Sequence, residues 1–344
     1  MIEAKGRPII HKLDDPTGIG KSRARCLREM KKRIADIQPQ VTELIKRTLE
    51  QSLVEVVQVN EVVLEPKAHI VNRANYVYQI SPDRLSMVDK LIKNIIYRNL
   101  LGLEDTLWSA QWWFNTYTRQ AVEQGYRDSL QTAQNLSPTV TVGQELSAEI
   151  RTLDYEQILN QPYYRRRLEN VYGRTFNSMV GFSDESAKNL SGILSRAITS
   201  GVGYRSVAKE VSQSFDDMSG YRALRIVRTE LNKATTDAYM ENTKDLNRDV
   251  FSKGGFRVAV MHLSALAFNT RKTHAQRHGK VSTPEEQAEW WDSGSNRLNC
   301  QCSVTDVLVD IETGEVLQTS LHKKAVEQGE EYFAKIDATK KESK

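Results

Sequence analysis

One short segment near the C-terminal end carries the most specialised side chains of this chain and constrains its fold most. His274 and His278 lie four residues apart in TRKTHAQRHGK, and Cys300 and Cys302 lie two apart in RLNCQC. Residues four apart share one face of a helix, and alternate residues share one face of a strand. The segment therefore favours a fold that brings a helical turn and an extended stretch together.

Two imidazoles and two thiolates form a ligand set for a closed, tetrahedral zinc site of the structural type. On this ground the sequence predicts a structural zinc ion held by His274, His278, Cys300 and Cys302. The spacing C-x-C differs from the usual C-x-x-C knuckle, and Gly279 can end a helix directly after His278. In the alternative interpretation, the histidines face solvent or bind the backbone, and the cysteines are small buried apolar residues.

Composition narrows the class of protein. A chain of 344 residues allows two domains, or one domain with a long helical arm. Its three cysteines, Cys26, Cys300 and Cys302, are too few for a disulfide framework and favour a reducing compartment during synthesis. The sequence has no N-terminal apolar signal and no uninterrupted apolar run of about 18 residues, so we expect neither signal-peptide secretion nor a membrane-spanning segment.

Charge points weakly to an anionic partner. Lys and Arg number 48 against 44 Asp and Glu, which gives a formal net charge of +4. The basic residues are concentrated in two stripes, which we predict to contact DNA phosphates or another partner. The stripes comprise Lys21, Arg23, Arg25, Arg28, Lys31, Lys32 and Arg33, followed later by Arg165, Arg166 and Arg167.

Apolar periodicity predicts an α+β fold that is predominantly α, with a long helical N-terminal part and a small C-terminal α+β module. Residues 21–53 are helical in pattern, and Pro39 is expected to divide them into two helices. Residues 54–64 are rich in valine and fit either a strand or the end of a buried helix. No internal repeat of 20–50 residues is present.

Local signals predict further element boundaries. They are a helix start at Ser81-Pro82, a helix over 106–126 that includes Trp108, Trp112 and Trp113, a connector at 135–144, a short helix capped by Ser183-Asp184-Glu185, a tight connection at 201–204, a strand at 256–263, a capping box at Thr283–Glu286, and a β-hairpin over 303–317.

Catalytic and nucleotide-binding motifs are weaker. Cys300 or Cys302 paired with His274 would suit nucleophilic catalysis, but no nucleophile elbow or oxyanion loop accompanies the pair. The stretch Gly18–Ser22 superficially resembles the end of a phosphate-binding loop, yet it lacks the first glycine and a preceding apolar strand.

Read in order, three segments resemble the bacteriophage Mu F-like minor head proteins, the phage head morphogenesis family. These segments are the helix RALRIVRTELNKATTDAYMENT, the stretch LSALAFNTRKTHAQRHGK and the closing RLNCQCSVTDV, within about residues 205–310. Asn269 stands where the family often has aspartate, and Met261 or His262 stands near the place of a frequent tryptophan. Both departures argue against a shared catalytic acid. The positions that match the family motif are Arg228, Thr229, Glu230, Arg271, His274, Gly279, Asn299, Cys300 and Cys302.

The resemblance implies a non-enzymatic virion protein inside the head near the portal, assembled in the host cytoplasm. It implies a role in head morphogenesis and in DNA packaging or ejection. The implied partners are the ring-shaped portal protein, other capsid components and, weakly through phosphates, viral double-stranded DNA. Two alternatives remain: a nuclease- or transferase-like enzyme that uses His274, Glu230 and Arg271, and a DNA-binding module outside the virion.

These expectations together predict a domain organisation. It comprises an extended arm (1–20), a helical region that docks on portal or DNA (21–135), a helical region leading into the module (146–246), the Mu F-like α+β module (205–320) and a polar C-terminal tail (321–344).

Overall fold

A computed structural model describes residues 7–63, 69–102, 112–136, 154–251 and 256–342. It confirms an α+β fold that is predominantly α. The chain divides into two compact units, each built from separate segments: unit 1 is Met1–Cys26, Trp113–Tyr172 and Val227–Lys344, and unit 2 is Leu27–Trp112 and Gly173–Ile226. The contiguous boundaries drawn from sequence therefore do not coincide with these units.

The helices are α1 (Gly20–Ser52), α2 (Pro82–Leu100), α3 (Trp113–Leu136), α4 (Tyr155–Asn160), α5 (Pro162–Ser200), α6 (Tyr204–Asp217), α7 (Ala223–Asp249), α8 (Lys272–Ala275), α9 (Pro284–Asp292) and α10 (Thr319–Glu342). A π-helical turn, Met218–Arg222, joins α6 to α7. The strands are β1 (Leu53–Val63), β2 (His69–Tyr78), β3 (Phe256–Leu263), β4 (Val281–Ser282) and β5 (Ser303–Asp310). Within the described residues, no helix combines the length and the apolar character that crossing a bilayer requires.

A three-stranded antiparallel sheet in unit 1 has the order β4–β3–β5. In its register Val258 pairs with Leu308 and Ala259 pairs with Val307. Because successive side chains of a strand point to opposite faces, Val258 and Leu308 pack against α3 and α7, whereas Ala259 and Val307 pack against Ala325 of α10. Both faces of this sheet are therefore covered by helices.

A separate antiparallel hairpin, β1–β2, lies in unit 2. It shows that the valine-rich stretch after α1 is a strand, which the sequence left open. The base of the hairpin is tied to the loop between α5 and α6, because the Tyr76 N–H donates to Gly201 at 3.0 Å and the Tyr78 hydroxyl donates to Val202 at 2.9 Å. Along β1, Leu53, Val54, Val56 and Val57 are exposed.

Two predicted helix breaks are wrong. Helix α1 runs through Pro39 without interruption. Pro39 is solvent-exposed, and the buried side chains of Ile37 and Val41 on either side hold the helix on its apolar face. Helix α5 likewise continues through 183–185, because Asp184 accepts a hydrogen bond from Tyr97 at 2.6 Å and pairs with Lys93 at 2.8 Å instead of capping a new helix.

Most local boundary signals are confirmed. The Ser81 side chain caps α2 by accepting from the Arg84 N–H, and Thr283 and Glu286 form a reciprocal capping box at the start of α9. Strand β3 has the predicted bounds, and the Val309–Val316 bridge closes the predicted turn after β5. On α2, Val88, Ile92 and Ile96 are buried, whereas Leu91 is 41% exposed.

Other expectations fall at the margins of the described residues. Trp108 and most of the 135–144 connector lie outside them, and the predicted 106–126 helix corresponds to α3, which begins only at Trp113. The C-terminal segment, expected to be a polar tail, instead forms α10. Helix α10 has an apolar side: Ala325 joins the core beneath the sheet, and the buried Tyr332 donates its hydroxyl proton to the Ala267 carbonyl at 2.9 Å.

Candidate functional site

The centre of the candidate site is the contact between one histidine and two cysteines. Nδ1 of His274 lies 3.4 Å from Sγ of Cys302 and 3.5 Å from Sγ of Cys300. The three side chains are each 2–3% exposed. His274 lies on α8, whereas the two cysteines precede β5 in a loop, where the Cys302 N–H donates to Cys300 Sγ at 3.3 Å. The sequence-predicted meeting of these three residues thus occurs, although the cysteines are not on a strand.

A fourth residue, His262, completes this cluster. It lies on β3 opposite Val304, and its side chain is fully buried. The ligand-competent atoms of His262, His274 and Cys302 lie within 4.8 Å of one another. Neither ring nitrogen of His262 has a hydrogen bond of ordinary geometry. The same is true of Nε2 of His274. We refer to His262, His274, Cys300 and Cys302 as the His/Cys cluster.

Burial and mutual contact shape the proton affinities in this cluster. Burial, with repulsion from Arg277, holds the pKa of His262 well below its usual value. The Cys302 thiol lowers the pKa of Cys300 through a hydrogen bond. The same contact, together with burial, raises the pKa of Cys302. The cluster therefore favours one neutral imidazole at His262 and unequal thiols, of which Cys300 ionises first.

Aromatic rings of α9 enclose the histidines. The ring centroid of Trp290 lies 4.9 Å from that of His274 and 5.3 Å from that of His262, and the Trp291 ring lies 5.5 Å from His262. The guanidinium of Arg277 stacks over Trp290 at 4.3 Å, and that of Arg297 over Trp291 at 4.6 Å. The tryptophans contact the guanidinium groups as well as the histidines, and the side chains of the cluster are buried.

His278 does not join the cluster. Helix α8 ends at Ala275, so the four-residue helical spacing between His274 and His278 does not apply. Gly279 has a φ of +81° and turns the chain towards β4, and a Cβ there would lie 3.1 Å from the Val326 amide nitrogen. The ring of His278 instead accepts the Ser264 N–H at Nδ1, 3.0 Å away, and approaches Gln328. Burial lowers the pKa of His278.

The remaining motif residues hold the loop that carries the cysteines. Arg271 donates to the carbonyls of residues 295, 296 and 298 at 2.6–3.1 Å. Asn299 has a φ of +54°, and its N–H donates to the Thr229 hydroxyl at 2.9 Å. Arg228 donates to the Asn299 side chain at 3.4 Å, and neighbouring Glu230 is 7% exposed. Arg228 and Thr229 of α7 thus form hydrogen bonds with Asn299, the loop residue directly before Cys300.

The two basic stripes contain exposed residues and residues that form ion pairs within the protein. Arg23 is buried and pairs with Asp15 at 2.7 Å, Arg33 pairs with Glu29 at 2.8 Å, and Arg167 bridges to Glu241 and Asp245. The exposed members are Lys21, Arg25, Arg28, Lys31, Lys32, Arg165 and Arg166. Only this exposed set can meet phosphates without breaking an internal ion pair.

Comparison with known protein families supports the resemblance to Mu F-like proteins that the sequence motifs indicate. Residues 188–305 match the family model described as Phage Mu protein F like protein. This stretch is a Mu F-like region. It covers about a third of the chain, overlaps the 205–310 range indicated by the motifs, and associates the chain with phage head proteins. Neither a curated protein nor a solved structure matches the chain.

Within the Mu F-like region, sequence reasoning missed His262 as part of the cluster. One signal was available. In the strand pattern 256–263, His262 shares a face with Val258 and Val260, both of which are buried. A histidine that continues a buried apolar face needs polar partners, and the cysteines and His274 were the available candidates.

Proposed function

We propose that this chain is a minor head protein of a bacteriophage that acts in head morphogenesis and in DNA packaging or ejection. It would lie inside the head, bind the portal ring and other capsid components, and reach the head from the host cytoplasm during assembly. The Mu F-like match carries this proposal. It is supported by the way α7, α8 and the cysteine loop use the family's motif residues as internal ties.

The β1–β2 hairpin supports a protein partner for unit 2. A two-stranded hairpin alone in water is marginally stable, yet this one exposes Val54 by 62% and Val56 by 44%. Exposed apolar side chains in such a number are typical of an interaction surface. The portal protein is the partner that the family likeness suggests.

Portal binding can be tested by coexpressing the chain with the portal protein of the same phage and separating complexes by size exclusion. We expect comigration for the wild type and its loss for Val54→Asp/Val56→Asp. Ile311→Asp is a matched control, because Ile311 is 52% exposed but lies after β5 in unit 1. Absence of comigration for the wild type would remove the portal from the proposal.

DNA contact is the second part of the proposal, and the exposed basic residues of α1 support it. Arg28, Lys31 and Lys32 are exposed, and their charges would displace counterions from phosphates. Binding of a generic DNA duplex should therefore weaken steeply with salt.

Changing the three residues to glutamine should test this contact. The slope of the logarithm of the binding constant against the logarithm of salt concentration should become shallower by about 0.9 per lost phosphate contact. The matched control is Lys188→Gln/Arg205→Gln/Lys209→Gln, which removes three exposed basic residues outside the stripe. Salt-insensitive binding would contradict a phosphate-directed contact.

We infer that His274, Glu230 and Arg271 serve structure and not chemistry on a substrate. Arg271 is committed to three backbone carbonyls, and Glu230 and His274 are buried. A nuclease or transferase would need these groups at a surface that a substrate can reach. An Arg271→Lys variant keeps the charge but not the planar fork of donors, so we expect it to lower the stability of unit 1. Nuclease or transferase activity in the wild type that Arg271→Lys loses at unchanged stability would instead favour the enzymatic alternative.

A further inference from the structure

We propose that the His/Cys cluster is a structural zinc site whose ligands are His262, His274, Cys300 and Cys302. Three observations on the described residues support it: the chemistry of the donors, their separations, and the unpaired polar atoms they leave. This ligand set replaces His278, which sequence spacing suggested, with His262, which the fold brings close to His274 and Cys302.

The donor set fits zinc. Two thiolates and two imidazoles are a recurrent combination in closed, four-coordinate zinc sites, and magnesium and calcium prefer oxygen ligands. The cluster is buried and walled by Trp290 and Trp291, so a fifth, exchangeable ligand has no access. A closed site of this kind stabilises a fold and does not activate water.

The separations also fit. Zinc–sulfur bonds of about 2.3 Å and zinc–nitrogen bonds of about 2.0 Å in a tetrahedron place nitrogen and sulfur about 3.5 Å apart. The His274 Nδ1 to sulfur distances are 3.4 and 3.5 Å, which is close to this edge for both cysteines. His262 lies within 4.8 Å of His274 and Cys302, and a rotation of its ring would have to close the remaining difference.

The unpaired nitrogens provide the independent observation. A buried polar atom without a partner costs about 1–3 kcal/mol, so native folds rarely keep such atoms. Neither ring nitrogen of His262 has a hydrogen bond of ordinary geometry, and its polar contact with Gln287 is a weaker one. A metal ion would satisfy one of the two nitrogens. Histidine ligands usually donate the other N–H to an oxygen, and Gln287 is the fully buried amide beside His262.

The proposed ligands also join three parts of the Mu F-like region that are distant in sequence. His262 comes from β3, His274 from α8, and the cysteines from the loop before β5. The loop has little regular structure, and its two cysteines pack in a core with Tyr239, Met240 and Trp291. Because such a site forms only in the folded state, zinc binding would contribute directly to the free energy of folding.

The test is zinc content of the purified full chain by elemental analysis, with His262→Gln and His278→Gln as the matched pair. We expect about one zinc per chain in the wild type and in His278→Gln, and a loss of most of it in His262→Gln. Metal-free wild type, or full zinc content in His262→Gln, would overturn the assignment.

A second measurement covers the case in which His262→Gln does not fold. The wild-type chain is stripped with a chelator, and Co²⁺ is added as an optical probe in place of zinc. A thiolate-to-metal charge-transfer band together with intense tetrahedral d–d bands supports the site, and zinc should displace both. Absence of these bands, with an unfolding temperature unaffected by the chelator, would rule it out. Portal binding is read separately through the hairpin variants, so failure of either proposal is recognisable by itself.

Discussion

The two antiparallel β structures of this chain differ in how their faces are covered. In the β4–β3–β5 sheet, β5 is buried over seven consecutive residues, from Ser303 to Val309. In the β1–β2 hairpin, every residue of β1 from Leu53 to Gln58 is exposed. The two have similar apolar residues, so composition does not separate them. What separates them is that helices cover both faces of the β4–β3–β5 sheet.

This difference assigns the two structures to different tasks. A sheet enclosed by α7, α9 and α10 cannot offer its strands to a partner, and its buried polar residues must find partners within unit 1. The His/Cys cluster and Asp306 lie on the face towards α7; Asp306 finds a partner there in Thr243, whereas the ring nitrogens of His262 have no hydrogen bond of ordinary geometry. The side chains of β1 from Leu53 to Gln58 are exposed, and exposed apolar side chains such as Val54 and Val56 are typical of an interaction surface.

The strongest test of the comparison is the same truncation in both structures. Leu308→Ala removes a fully buried side chain of β5 and should cost about 2–5 kcal/mol in the free energy of unfolding. Leu53→Ala removes one that is 40% exposed and should cost less than about 1 kcal/mol. Urea titration of both variants measures the difference. Equal costs would mean that the hairpin is as well packed as the sheet.

The covered sheet was the more predictable of the two from sequence. The bounds of β3 and the capping box of α9 follow from local residue patterns, and the structure confirms both. The errors arise where tertiary contacts override a local signal, as at Pro39 within α1 and at Asp184 within α5. His262 was missed for a related reason: which residues meet across a sheet depends on the register, which a single sequence does not display.

The loop next to the sheet should be the next most sensitive part. Arg271→Ala removes a charged donor from the carbonyls of residues 295, 296 and 298, and hydrogen bonds to charged groups contribute about 1.5–3 kcal/mol. We expect a loss of stability in that range, measured by thermal and urea unfolding. Lys272→Ala is a neighbouring exposed control that should change stability by less than about 0.5 kcal/mol. A similar loss in both variants would contradict a specific role for Arg271.

The polar residue at the centre of the covered face should give a smaller, pH-dependent effect. Burial raises the pKa of Asp306 well above its usual value, and the carboxyl accepts a hydrogen bond from Thr243 at 2.8 Å. The unfolded chain therefore releases this proton at lower pH than the native chain. Asp306 therefore makes its full contribution to the free energy of unfolding below its unfolded pKa of about 4. This contribution declines as the pH rises towards the native pKa.

Asp306→Asn keeps the shape and cannot ionise, so it should remove this decline. We expect the variant to gain stability relative to wild type as the pH rises from 5 to 8 in urea unfolding, because only the wild type then carries the buried carboxyl whose pKa is raised. Other titrating groups, including His262, are common to both proteins and cancel in the difference. Parallel stability–pH curves would show that Asp306 is already ionised in the native chain.

The smallest expected effect concerns the N-terminal arm, which pairs with the covered sheet and has no counterpart on the hairpin. The Thr305 hydroxyl donates to the Ile9 carbonyl at 3.0 Å, and His11 contacts Asp128 at 2.7 Å. That hydrogen bond raises the pKa of His11, against a smaller opposing effect of burial. The stabilising contribution is complete below the unfolded pKa of about 6.5 and is lost as pH rises through the raised native value.

His11→Gln should therefore destabilise the arm at pH 5.5 and leave its stability nearly unchanged at pH 8.5. The loss at pH 5.5 should be less than about 1 kcal/mol, because the pair is partly exposed. Hydrogen exchange of the Ile9 amide, which donates to Thr132 at 3.0 Å, reports on the arm without unfolding the rest of unit 1. Faster exchange in the variant at the lower pH alone is the expected result. Lys12→Gln, at an exposed neighbouring position, should leave exchange unchanged at both values. If the Ile9 amide of the wild type exchanges at its intrinsic, unprotected rate at both pH values, the arm does not cover β5 in solution, and the enclosure of the sheet depends on helices alone.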